Sequence, residues 1–71
     1  MFDLSLRCAD HVRRYSICSA GTSGWDVKLE EDRTVRRRDL YQDWHRVARA
    51  RALFEREASA LTATGWSVAD D

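Results

Sequence analysis

The sequence predicts an α+β domain: a four-stranded antiparallel meander (ββββα) covered on one face by a single long C-terminal helix. Three observations carry this. Short segments with period-two alternation fill the first half of the chain. Turn residues punctuate them. One unbroken helical pattern then runs over about 43–64 and ends at Gly65-Trp66.

The first strand is expected at about 2–7, where Phe2, Leu4 and Leu6 alternate with Asp3, Ser5 and Arg7. Cys8 to His11 forms the turn. The second strand, at about 12–19, is rich in β-formers and sets Tyr15 and Ile17 on one face. Ala20-Gly21-Thr22-Ser23-Gly24 is a loop of small residues. The third strand, at about 25–30, alternates Trp25, Val27 and Leu29 with Asp26, Lys28 and Glu30. The fourth, at about 34–38, has little apolar content, as a charged sheet edge does.

Register follows from the need to share a face. The loop at 20–24 sets Ile17 opposite Val27 and Tyr15 opposite Leu29. For the next hairpin, a loop of residues 31–33 puts Val35 opposite Leu29, inside. A shorter loop of residues 31–32 would pair Glu30 with Arg33 and Asp26 with Arg37 but turn Val35 outward. Apolar burial contributes about 25 cal/mol per Å², and exposed ion pairs only about 0–1 kcal/mol. The first register is therefore expected.

The helix should start between Asp39 and Asp43, both good caps, and Gln42 stands three residues after Asp39. At about 100° per residue, Leu40, Trp44, Val47, Ala50, Phe54, Ala58 and Leu61 form one apolar stripe, with Phe54 at its centre. Arg46, Arg49 and Arg56 fall on the opposite side. Arg51 lies inside the stripe and is expected to snorkel or to stack on Trp44 or Trp25, the other reading being an arginine held at the sheet–helix seam for a carboxylate or phosphate. Gly65 suits a left-handed helix ending that folds Trp66 back on Leu61. Residues 65–71 form a short tail, extended at Trp66-Ser67-Val68 and frayed from Ala69 to Asp71.

A chain of 71 residues is expected to be one domain, 1–71, with a marginal core. A helix of about 22 residues is about 33 Å long, longer than strands of about 20–24 Å. Leu53 and Ala60 lie outside the main stripe on the overhanging helix. They are the expected contacts of a homodimer.

The charges balance, 12 basic against 12 acidic, unlike a dedicated nucleic-acid binder. They are unevenly placed. Residues 33–51 hold seven arginines against Asp39 and Asp43. Arg14, Lys28, Arg36, Arg37 and Arg38 are the candidate anion or nucleic-acid patch. The element order is similar to that of the PUR-repeat proteins, which bind single-stranded nucleic acid as dimers. The similarity is one of order, and it carries over no residues. The sheet face away from the helix lacks the aromatic rings on which bases stack.

Chemistry is poorly provided for. Cys8, His11, Cys18 and His45 lack the paired arm of a zinc site. His45 points away from the stripe with no orienting acid, and no two carboxylates share the packed face. Gly21-Thr22-Ser23-Gly24 joins strands instead of opening a helix, so it is no phosphate loop. The chain is therefore expected not to be an enzyme and to need no cofactor or metal. Met1-Phe2-Asp3 lacks the basic start of a signal peptide, and no apolar run reaches membrane length. A cytoplasmic location with reduced cysteines follows. The expected function is a binding or assembly module acting through protein–protein contacts as a homodimer. The alternative is weak single-stranded nucleic-acid binding.

Overall fold

Alternation in the first 41 residues and helical periodicity after them build two layers in the computed structural model, which describes residues 2–69. Strands β1 (Phe2–Cys8), β2 (His11–Ser19), β3 (Trp25–Glu31) and β4 (Thr34–Tyr41) form the antiparallel meander. Helix α1 (Trp44–Ala63) packs across it. A final strand, β5 (Ser67–Val68), pairs antiparallel with β1, so the sheet has five strands in the order β4-β3-β2-β1-β5. Asp70 and Asp71, part of the expected frayed tail, lie outside the described residues.

The core follows from which side chains the pleat turns toward α1. Leu6, Tyr15, Ile17 and Val27 from the sheet meet Val47, Phe54 and Ala58 from the helix, all buried. The Phe54 ring lies 4.8 Å from that of Tyr15 and 6.3 Å from that of Phe2, so it is central as expected. Tyr15 is sealed, and burial pushes its phenol above its ordinary range. The hydroxyl donates to Glu57 at 3.2 Å and accepts from Arg13 at 3.4 Å. Arg13 also binds Glu31 and lies 6.0 Å from the Trp66 ring centre. The polar end of the core residue is thus satisfied. Trp25 is half-buried against Trp44, ring centres 5.3 Å apart.

The β2–β3 register matches expectation, with Tyr15 opposite Leu29 and Ile17 opposite Val27. The β3–β4 register does not. Glu31 pairs with Thr34 across a turn made by Asp32 and Arg33 alone, both at positive φ (51° and 68°). Two left-handed residues give the tight turn whose twist matches a hairpin. The Asp32 carboxylate holds it in place, accepting from Val12 N at 3.0 Å and bonding His11 Nδ1 at 3.1 Å. Val35 therefore faces Glu30, on the side away from the helix, and is 49% exposed. A bulge beside Leu29 and Glu30 then leaves Arg36 as the extra residue. Without it, Tyr41 would point away from the core it helps to cover. Backbone turn geometry, cross-strand hydrogen bonds and the burial of Tyr41 outweigh the methyl groups of Val35.

The β4 strand also runs three residues past the expected end at residue 38. Asp39 is a strand residue opposite Val27 and not a helix cap. Asp43 caps α1, its side chain accepting from His45 N at 2.9 Å. Leu40 consequently leaves the helix stripe and stands 57% exposed on the helix-free face, and Trp44 is 53% exposed. Arg51 stacks over Phe2, 5.4 Å from the ring centre, rather than on a tryptophan, and also bonds Glu55. The helix ends as expected. Gly65 has φ 110°, its N–H reaches Thr62 O at 3.4 Å, and Trp66 N reaches Leu61 O at 3.0 Å. Those two bonds are the Schellman pair.

Candidate functional site: the trough between β4 and α1

The two edges of the sheet are built differently. The outer side of β1 is covered at residues 5–7: Leu6 pairs with Val68, Arg7 with Ser67, and Ala69 N donates to Ser5 O at 2.8 Å. The outer side of β4 has no strand beside it among the described residues. Along its eight residues, every second backbone N–H and C=O points outward, a template for another extended chain.

Next to that edge, β4 and α1 diverge and leave an open trough of about 520 Å³. Its floor is apolar: Val27, Phe54, Ala50 and Tyr41. Leu53, 38% exposed, stands on the helix wall. The rim is cationic. Arg37 comes from β4, and Arg46, Arg49 and Arg56 come from one flank of α1. Asp39 is the one acid in the lining. It takes a hydrogen bond from Arg37 Nε at 2.8 Å, which raises the Arg37 pKa above its ordinary value. Arg46, Arg49 and Arg56 have no ion-pair partner among the described residues.

The structure separates the five residues expected to form one anion patch. Arg14, Lys28 and Arg38 lie on the helix-free face. Arg37, opposite Leu29, lies on the helix side, and the bulge sets Arg36 beside it, 3.7 Å from Glu31. Three hydrogen-bonded or ionic contacts neutralise the helix-free set. Arg14 grips Asp3 at 3.0 and 2.7 Å, Arg38 grips Asp26 at 3.1 and 2.9 Å, and Lys28 lies 3.4 Å from Glu30. The two-pronged Arg14 pair holds the Asp3 carboxyl below its ordinary range. Each of these three cations is matched by an acid on the same face.

Of the expected dimer contacts, Leu53 joins the trough wall and Ala60 is exposed a little under two turns further along α1. Cys8 pairs with His11 at one end of the sheet, Cys18 lies opposite Asp26 toward the other, and His45 is exposed on the first turn of α1. Among the described residues no three Cys, His, Asp or Glu side chains lie together as metal ligands would. No described helix is long and apolar enough to cross a membrane.

Sequence reasoning passed over Arg46, Arg49 and Arg56 as a solvated face. At about 100° per residue Arg49 and Arg56 lie nearly opposite the apolar stripe, so periodicity alone gave no signal; only the course of β4 shows that they border the trough with Leu53. No protein-family model matches the chain, and comparison with curated proteins and with solved structures gave no match either.

Proposed function

We propose that this chain is a protein-binding module that accepts an extended segment of another protein along the outer edge of β4. The observation that carries the reading is the uncapped strand beside an apolar-floored trough. Main-chain pairing to such an edge supplies affinity, and pockets for alternate side chains supply selectivity. Val27 and Phe54 form the trough floor, so side chains of an added strand would meet apolar surface on the helix side. On the other face they would meet Val35 and Leu40, both exposed.

The test is a map of backbone protection. Peptides selected from a displayed library of random twelve-residue sequences should slow amide exchange in residues 34–41 and leave β1 unchanged. Selected binders that protect β1 or the helix-free face instead would refute the reading. Self-association, the state expected from Leu53 and Ala60, is read separately by light scattering on the chain alone.

A further inference from the structure

We infer that the segment received at β4 is acidic, with carboxylates on alternate residues and apolar side chains between them. This deepens the proposal of strand addition and rests on it. The charge of the trough supports the inference. Three guanidiniums, from Arg46, Arg49 and Arg56, line one wall without a described carboxylate on any of them. Arginine forks match carboxylates with two parallel bonds, and such charge-assisted bonds are about twice as strong as neutral ones.

The spacing fits an extended chain. From position 46 to 56 α1 rises about 15 Å. A strand covers that in about five residues, and its same-side side chains recur every 6–7 Å or so. Three acids at alternate positions would therefore span the same length as the three arginines. All three line the trough together with Arg37 and Asp39 of β4, so acidic side chains of a strand paired to β4 would enter the space they border.

Two other occupants fit less well. A second copy of the chain would offer its own β4, which carries Arg36, Arg37 and Arg38 against Asp39. Those three arginines have acidic partners, but pairing the two edges would set two arginine-bearing helix flanks near each other with no unpaired carboxylate between them among the described residues. A nucleic-acid strand would satisfy the arginines but not the outward N–H and C=O groups of β4. It would also find few rings to stack on, since Trp25 and Trp44 are packed on each other.

The experiment uses the same library of random twelve-residue peptides, selected against the full chain in about 50 mM salt, with the winners then synthesised and labelled. The inference expects winners enriched in Asp and Glu at alternate positions, binding that weakens as salt rises, and at least a tenfold loss of affinity in the Arg49→Glu/Arg56→Glu variant. Circular dichroism checks that this variant is folded, which its exposed positions favour. Neutral or basic winners that still protect residues 34–41 would overturn the acidic partner and leave strand addition standing. Winners that never protect 34–41 would overturn both. A single-stranded twelve-nucleotide thymidine oligomer binding more tightly than any winner, and released by the same double substitution, would reassign the trough to nucleic acid.

Discussion

The two borders of this sheet received opposite treatments. At the β1 border the chain returns on itself: α1 ends before Gly65, Trp66 N bonds back to Leu61 O, and the segment from Ser67 to Ala69 pairs with residues 5–7 of the outer strand. At the β4 border no described segment returns. The outer strand keeps its unpaired groups and surrounds them with arginine and a bulge, two devices that discourage sheets from joining edge to edge. A border meant only for stability is closed by backbone. One left open but flanked by arginine discourages like-charged strands from joining it.

Four changes would break or sharpen that contrast. The largest is Phe54→Ala, which removes the ring shared by the closed half, at Tyr15 and Phe2, and by the trough floor. The expected loss is about 3–5 kcal/mol, read by urea denaturation, and it should loosen both borders. A loss below about 1 kcal/mol would mean that the two halves do not share one core.

Gly24→Ala should act on the open border alone. Gly24 has φ 106°, and a Cβ there would stand 2.2 Å from the Tyr41 carbonyl oxygen. The strand end must move away, at a cost of about 1–3 kcal/mol. Amide exchange should accelerate in β4 while β1 and β5 stay protected, and equal acceleration in both would contradict the separation. Trp66→Ala tests the closed border. Trp66 is half-buried beside Leu61 and Arg13, so about 1–2 kcal/mol should be lost, with β5 exchanging freely and β4 unaffected.

The smallest effect is on pH, at the turns. Asp32 is held below its ordinary 3.8 by the Val12 N–H and then by His11, and Glu31 below 4.5 by Arg13. Their stabilisation is present above those ordinary values and lost as pH falls through the lowered ones. His11 is raised above 6.5 by Asp32. Its contribution is complete below 6.5 and lost as pH rises through the raised value. The thermal midpoint should therefore peak weakly between about pH 5 and 6. His11→Gln should flatten the alkaline limb and soften the acid limb, since His11 also helps to hold Asp32 down; an unchanged alkaline limb would assign it to another group.

The architecture was legible because its signals are local and redundant. Tyr15, Ile17, Val27 and Leu29 alternate cleanly, and the Gly21–Gly24 loop sets one register that serves them all. The Schellman ending was legible because Gly65 and Trp66 have few other uses there. The hairpin at Asp32 was not. Its turn depends on two ordinary residues adopting positive φ, held partly by a distant contact from Asp32 to Val12, and no local pattern records that. The bulge at Arg36 had the same effect downstream, moving Arg37 and Tyr41 to the helix side and Leu40 off it. The trough was missed for this reason. It needs β4 to extend to Tyr41, where a shorter strand and an earlier helix were expected. With β4 misplaced, Arg46, Arg49 and Arg56 had no neighbour to make them a wall.

The short β5 strand also decides how the domain yields to mechanical load. β5 lies antiparallel to β1, with Ala69 beside Ser5, so a tether attached near residue 2 and another near residue 69 pull from the same end of that ladder. Tension then opens the contacts in succession, like a zipper, instead of shearing them together. The first event under a weak pull is the peeling of β5, which uncovers β1 while the four-strand meander still holds.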